Sequence, residues 1–432
     1  MLTVPEWFGP SELTADVPSS IVGLRELISD APAQPVKRSS NGWRYVAAGQ
    51  TFLVESVDYL VAATHFDAWI ALTHRAVEPN VFLDPCFILP AVQHFAMARR
   101  PAFLLVWDES EGDRRRLVGL APVMSSRSRI GSTVAVTWMH EMAALGTPLI
   151  DRERSIETID LMFDWMQREQ PEVTGLLLPK LRRDGAIAAL LKTRSLLTGR
   201  ELREFDLHER AVLRATPEPE SNLKRMLSPR KAKNLRRQRH RLTDQGDVRF
   251  VSARSITEVR AATEQFLALE AQGWKAKRGT ALLNDPGSTT FTRTMSRLLA
   301  RQGKCRIDAL TLDGVPIAMG IVLRDDACAY LWKIAFDETY ANTSPGVQFM
   351  IEFSKAQSAE EGLHFTDSCA IPDHPMIDHI WRDRMEMVDL LVSTKTHQTR
   401  NFALHALAER MRRRMREHVK TAYLRIMNHK RS

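Results

Sequence analysis

A chain of 432 residues, 44% hydrophobic and 26% charged with only four cysteines, is too long for one ordinary core and predicts two or three globular domains. It falls outside the disulfide-rich, collagen-like and disordered classes, and no apolar run reaches the ~18 residues that a membrane span needs. The net charge of +8 is concentrated: Lys224 to Arg241 holds nine Lys or Arg and no acid, and Arg400 to Ser432 holds ten against Glu409 and Glu417. Such segments suit an anionic partner or form solvated helix faces.

The start, MLTVPEWFGP, has no basic residues leading into an apolar core, which predicts no secretory leader. Residues 1–45 read as a flexible segment containing Pro and Ser. Residues 46–215 read as a first domain. In it DAWIALTHRAV and PAVQHFAMA are predicted helices, and AFLLVWDE, RLVGLAPVM and TVAVTWM predicted strands. A loop with Gly146, Thr147 and Pro148 follows, then helix IETIDLMFDWMQRE, strand GLLLP, helix GAIAALLKT and strand ELREFDL. TPEPES, from Thr216 to Ser221, is the expected joint.

Residues 222–398 read as a second domain. SITEVRAATEQFLALEAQGW opens with Ser255 followed three residues later by Glu258, a capping box. Val259, Ala262, Phe266 and Leu269 share one helical face, and Gly273 is a stop. A helix is predicted from Ser288 to Arg301, then strands CRIDALTL, PIAMGIVL and CAYLWKIAF, with hairpins at Asp313-Gly314 and Asp325-Asp326. A helix from Pro345 to Glu361, strand HFTDSCA, helix PMIDHIWRDR and strand MVDLLV complete the run. The element order is the same in both halves, which predicts a tandem of two similar α/β domains. Residues 399–432 form a basic C-terminal helix. Its MRRRMREHVK segment could lie on anionic lipid, while Leu404, Leu407, Met411, Met415 and Val419 are expected to pack on the fold.

The passage from strand to helix in WKIAFDETYANTSPGVQF is abrupt. Alternation in CAYLWKIAF predicts Tyr330, Trp332, Ile334 and Phe336 on one buried face, with Lys333 among small residues on the other. Ser344 suits the N-cap and Pro345 the first helical position, and Gly346 permits close approach. The first helical N–H groups and the dipole would favour a phosphate.

Five stretches, EPNVFLDPCFILPA (Glu78 to Ala91), LVGLAPV (Leu117 to Val123), LEAQGWKAKRGTA (Leu269 to Ala281), LDGVPIAMGIVL and WKIAFDETYANTSPG, resemble the bacterial acetyltransferases of the GNAT superfamily associated with cellulose or exopolysaccharide biosynthesis, the CelD type. The resemblance runs from about Phe52 to Leu391. That family is related to the Fem-type aminoacyltransferases, which also pair two GNAT-like domains. The resemblance implies an α/β (α+β) fold, a tandem of two GNAT-like acyl-CoA N-acyltransferase domains with mixed sheets flanked by helices. It implies transfer of an acyl group, acetyl by default, from acyl-CoA to an amine or hydroxyl of a saccharide or small metabolite. One feature departs from the family. The usual Q/R-x-x-G-x-G/A loop is represented by Asn342 to Val347, which has one glycine, and Pro345 lacks a donor. Lys333, Ile334, Ala335, Ser344, Gly346 and Val347 are the implied contacts to the cosubstrate.

Direct acyl transfer needs a base near the acceptor, donors for the developing oxyanion and exclusion of water. Glu270, Asp337 and Asp367 are candidate bases, and Tyr340 a candidate proton donor to the leaving thiolate. Each is also readable as a surface charge, ion pair or packing residue; for Lys333 a structural ion pair with Asp367 is expected ahead of a contact to substrate. Trp274, Lys275, Arg230 and Lys233 are candidate substrate contacts, the two basic residues of the 224–241 segment reaching for phosphates. Cys369 has no His–Asp arrangement beside it in sequence. His374 and Asp378 have helical spacing but lack a third ligand, so no metal is expected. GxSxG, Walker and GxGxxG-acid motifs are missing from the sequence. The scattered cysteines fit a reducing, cytoplasmic setting, with peripheral contact to an anionic inner-membrane face as an option and no sequence-specific nucleic-acid partner. Two other readings stand beside acyl-CoA-dependent transfer: a Fem-type aminoacyl-tRNA-dependent transferase, and a catalytically degenerate scaffold binding a polysaccharide synthase or membrane.

Overall fold

The computed structural model describes residues 34–38, 42–96, 99–111, 114–127, 133–215, 228–273 and 278–429. The joint predicted at Thr216–Ser221 and the candidates Trp274 and Lys275 lie outside the described residues.

The described chain begins with an antiparallel meander, β1 (Gln34–Arg38), β2 (Gly42–Ala47) and β3 (Gln50–Val57), where the sequence predicts a loose segment up to residue 45. Three helices follow: α1 (Tyr59–Thr64), α2 (Phe66–Arg75) and α3 (Pro85–Phe95). Asp58 and Asp84 cap α1 and α3 by accepting N–H groups of the first turn, each such cap being worth about 1 kcal/mol. Then come β4 (Ala102–Glu111), β5 (Arg114–Arg127), β6 (Thr133–Thr137), the short β7 (Leu149–Ile150), α4 (Ser155–Glu169), β8 (Val173–Arg182), α5 (Ala186–Thr198) and β9 (Leu202–Arg214).

The second run opens with α6 (Pro229–Thr243), β10 (Val248–Ala253), α7 (Ile256–Gln272) and α8 (Pro286–Arg301). Ser255 and Glu258 form both halves of the capping box on α7. The strands β11 (Cys305–Leu312), β12 (Val315–Asp325) and β13 (Cys328–Phe336) are joined by two-residue turns. Asp313 and Gly314 both have positive φ, as a turn that matches strand twist demands. The second turn is Asp326–Ala327, one residue later than predicted, because Asp325 stays in the ladder opposite Cys328. Last are α9 (Pro345–Ser358), β14 (Phe365–Asp367), β15 (Asp383–Ser393) and α10 (Arg400–His429). The helix predicted over PMIDHIWRDR is reduced to one 3-10 turn, Ile377–His379, since Asp383 onward pairs as β15.

Each run contains three antiparallel strands, a crossover helix and a strand parallel to the third: β4-β5-β6, α4 and β8 in the first, β11-β12-β13, α9 and β14 in the second. The fold is therefore α/β, with this arrangement repeated. The two runs nevertheless share one mixed sheet. β15, from the end of the second run, lies between β8 and β9, antiparallel to both. β9, from the end of the first, pairs with β14 of the second. A cut between residues 215 and 222 divides the chain into two runs but leaves each missing a strand that the other supplies.

The core follows from this exchange. One face of the second run packs on α7 and α8 and takes in Phe82 and Phe87 from the first; the other face packs on α9. Phe87 meets Phe291 at 5.2 Å, edge to face. Lys304 is buried between Asp84 (2.8 Å) and Asp325 (3.0 Å), a paired charge that ties α3 to the second run.

On α10 the sequence expectation is reversed. Phe402, His405, Ala406 and Glu409 face the fold, while Leu404, Leu407, Met411, Met415 and Val419 are 54–69% exposed. Amphipathic spacing identifies a stripe, but the packed side is the one where Glu409 and Arg413 join the ion pairs of β9 and β15. No helix among the described residues is long and apolar enough to cross a membrane.

Candidate active site

The central strand of the second run, β13, does not alternate as predicted. Its register against β12 jumps between Ile321↔Lys333 and Val322↔Leu331, so Trp332 is an extra residue. Such a bulge re-aims the side chains beyond it. Tyr330, Trp332 and Ala335 belong to the α7/α8 face, whereas Leu331, Ile334 and Phe336 pack toward α9. The Lys333 ammonium lies 5.5 Å from the Trp332 ring centroid.

The ladder between β13 and β14 ends at Tyr330↔Asp367. Past that point β13 runs on to Phe336, while the Ser368 N–H turns to the Ala211 carbonyl on β9 at 3.2 Å. Trp332 and Lys333 on one side, and Cys369, Ala370 and Ile371 on the other, line a cleft of about 1030 Å³. Its other walls come from the first run and from α10. Three non-glycine residues lining it are left-handed, Lys180 (φ 51°), Asp206 (φ 48°) and Cys369 (φ 52°). Lys180 and Asp206 sit at breaks in register, where β8 bulges opposite Asp389 of β15 and β9 bulges opposite the neighbouring Val388. Backbone strain of this kind, about 1–3 kcal/mol per residue, persists where surroundings enforce it and clusters at functional sites.

The charges of the cleft are unevenly matched. Asp367 is fully buried and accepts Arg210 at 2.9 Å, and its other oxygen takes the Cys369 N–H at 2.8 Å. Its partner is thus Arg210 from β9. Arg210 also donates to the Ala144 carbonyl (3.1 Å), while its Nε is buried without a partner among the described residues. Asp389 accepts the Lys180 N–H (2.7 Å) and Arg413 (2.6 Å). The Lys180 ammonium reaches the Ala143 carbonyl at 3.3 Å; burial, then Arg210, pull its pKa below the usual lysine value. Burial pushes the Cys369 thiol well above its ordinary range, so it is held protonated.

The corresponding place in the first run is filled by the chain itself. β6 and β8 are parallel through Val136↔Leu177. Beyond them the Gly146 carbonyl accepts the Thr137 hydroxyl, and Asn80 donates to the Thr147 carbonyl at 2.7 Å. A Cβ on Gly146 would stand 2.3 Å from the Pro179 carbonyl oxygen, so only glycine fits between the strands. The same loop then supplies a wall of the cleft, where the Met142 carbonyl accepts the Trp332 indole N–H at 2.8 Å. His140 in this loop is enclosed by Phe87, Phe95, Trp138 and Phe291. Burial is the main cause that lowers its pKa from 6.5 to about 3.

The remaining candidates lie away from the cleft. Glu270, 3% exposed, accepts the Leu282 N–H at 2.9 Å. Asp337 caps the 3-10 turn Glu338–Thr343, accepting the N–H and hydroxyl of Thr339 at 2.8 and 2.7 Å. Tyr340 is half-buried in that turn, against the α9-side core. Ser344 departs from the expected N-cap: it is left-handed (φ 53°, ψ 55°) and its side chain makes no cap bond. The Val347 and Gln348 N–H groups both return to the Ser344 carbonyl at 3.0 Å. With Pro345 lacking a donor, the expected amide cradle for a phosphate is largely satisfied internally. Gly346 is needed for a different neighbour: a Cβ there would be 3.0 Å from the Phe336 ring and 3.3 Å from the Met376 sulfur. Arg230 and Lys233 are exposed on α6, which meets the turn through Gln238 to the Asn342 carbonyl (3.2 Å) and Gln348 to the Leu235 carbonyl (2.9 Å). Among the described residues no cluster of His, Cys, Asp and Glu could hold a metal.

Sequence reasoning missed Lys180, Arg210 and the α10 arginines as site residues. The only local signal was a charge interrupting an apolar strand, as in LLLPKL.

Comparison with solved structures gives similar chain traces at low identity. FemX is 9% identical, with a TM-score of 0.48 over 79% of this chain and 98% of that one. A conserved protein of unknown function from Bacteroides thetaiotaomicron is 8% identical, with a TM-score of 0.47 over 76% and 97%. A GCN5-related N-acetyltransferase from Kribbella flavida is 11% identical, with a TM-score of 0.31 over 79% and 70%. No curated protein matches the chain. Residues 229–374, which include β13, the turn after it, α9 and β14, match the family model described as Acetyltransferase (GNAT) domain.

Proposed function

We propose that the protein transfers an acyl group, acetyl by default, from acyl-CoA to an amine or hydroxyl of a saccharide or small metabolite. The observation that carries this reading is the cleft where β13 and β14 part, inside the segment that matches the acetyltransferase model. The thioester would lie past Tyr330, along Lys333, Ile334 and Ala335. The acceptor's nitrogen or oxygen attacks the thioester carbonyl carbon, the C–S bond breaks, and the proton that the acceptor loses balances the one that the leaving thiolate takes up. Asp367 and Glu270, committed to Arg210 and the Leu282 N–H, suit positioning. Asp337 and Tyr340 stand in the turn after β13, outside the residues that line the cleft, so neither is assigned the proton transfer. The saccharide acceptor, and a place in cellulose or exopolysaccharide synthesis, rest on the resemblance of the five stretches quoted above.

A thermal melt tests the reading. Acetyl-CoA at 100 times its Kd should stabilise the folded protein by about 2.7 kcal/mol; no rise in midpoint contradicts acyl-CoA use. One observation favours a second reading: α6 presents Arg230, Lys233 and Arg237 to solvent beside the strand-to-helix turn. An aminoacyl-tRNA donor of the Fem type would use such a face, and its binding would weaken steeply with salt. Absence of an acetyl-CoA shift together with salt-sensitive tRNA binding would select it; response to neither would leave a non-catalytic scaffold.

A further inference from the structure

The cleft beside β13 holds more positive charge than its own acids satisfy. Of the carboxylates lining it, Glu204 pairs with Lys192 and Arg183, and Asp206 and Asp389 both pair with Arg413. Glu141 alone has no basic partner among the described residues. Against it stand Lys180, whose ammonium hydrogen-bonds only a backbone carbonyl among the described residues, and Arg410, Arg414 and Arg416 of α10, without a carboxylate among the described residues. The buried Arg210 adds a donor, Nε, that nothing accepts among the described residues. Like charges brought together in a partly desolvated place oppose one another unless an anion joins them; burial first, and Arg210 second, lower the Lys180 pKa, with Asp389 acting against them. Guanidinium groups present planar, paired donors that match phosphate oxygens.

We infer that this cleft takes an acyl acceptor bearing a phosphate group, held between Lys180 on the strand side and Arg410, Arg414 and Arg416 on the helix side. The inference rests on the acyltransferase reading for the word acceptor, and on the cleft alone for the phosphate. Two sources share this chemistry: a soluble phosphate ester and a phospholipid headgroup. The exposed apolar stripe Leu404, Leu407, Met411, Met415 and Val419 on the same helix makes the second a real arm of the test.

The test uses the full chain saturated with CoA, so that the donor site does not compete. Glycerol 3-phosphate and glycerol are titrated by calorimetry; in parallel the protein is sedimented with vesicles of phosphatidylcholine, with and without phosphatidylglycerol. We expect glycerol 3-phosphate to bind and glycerol not to, with affinity falling at least tenfold in the double variant Arg410→Ala, Arg414→Ala and in Lys180→Gln. The arginines are exposed, so that variant should keep the parent melting profile. Sedimentation only with phosphatidylglycerol, lost in the same variants, would assign the headgroup as the source; soluble binding alone would assign the free ester. Failure of both probes to bind, or binding that the variants leave unchanged, overturns the inference. The donor reading fails separately: no acetyl-CoA shift with phosphate binding intact would leave an anion site without a transferase.

Discussion

Two places in this molecule share a topology and differ in content. In the first run β6 and β8 part around residues of the chain itself, with Gly146 pressed against the Pro179 carbonyl. In the second, β13 and β14 part at Tyr330↔Asp367 beside a cleft of about 1030 Å³. The same strand-helix-strand frame can thus close or admit a ligand. The difference lies in where the following loop goes: the first run's loop walls the other run's cleft with Glu141 to Ala144 and then fills its own gap at Gly146. The filled place supports the open one.

The comparison can be broken most severely by dividing the chain. Each run lacks a strand that the other supplies, β15 for the first and β9 for the second. Residues 1–221 and 222–432 expressed separately should each show no cooperative urea transition by circular dichroism; a sigmoidal transition in both monomers would show that the exchange is dispensable. Next in size is Gly146→Val. Its new atoms meet main chain that cannot yield, so destabilisation of about 3 kcal/mol is expected, with acetyl-CoA affinity of the folded fraction unaltered. A loss of affinity without loss of stability would mean that the first gap, too, is a binding site.

A third effect is set by pH. His140 is buried neutral, with its pKa lowered from 6.5 to about 3. The unfolded state therefore binds a proton that the folded state refuses, and the stability this represents is present above about 6.5 and lost as pH falls toward about 3. The slope is up to about 1.4 kcal/mol per pH unit. Denaturant melts of the parent and His140→Phe across that window should differ by this slope; parallel curves would argue against a neutral, enclosed imidazole. The smallest effect is expected for Gly346→Val, near 1 kcal/mol, because the Phe336 ring edge and Met376 can shift. Displacing that ring should also weaken acetyl-CoA. Unchanged affinity would remove the start of α9 from the site.

Much of the frame was readable because local chemistry dictates it. Asp313-Gly314 marks a turn that needs two positive φ values, and Ser255 with Glu258 marks a helix start; both are found as expected. What failed depends on partners distant in sequence. Alternation in CAYLWKIAF breaks at Trp332 because the register with β12 slips there. Ser344 has good capping chemistry but a left-handed backbone imposed by the turn before it. Periodicity located the apolar stripe of α10 but not its side, which the ion pairs of Arg413 decide. Lys180 and Arg210 reach the cleft only through the strand exchange, which leaves no signature in either half alone.

The most direct measurement is calorimetric titration of acetyl-CoA into the parent and into Ala370→Trp, which places an indole where β13 and β14 part. One saturable site per chain, abolished by the tryptophan while the melting profile of the protein is kept, is the predicted result. Two sites, none, or a single site indifferent to Ala370→Trp would contradict the claim that this gap is where the thioester enters.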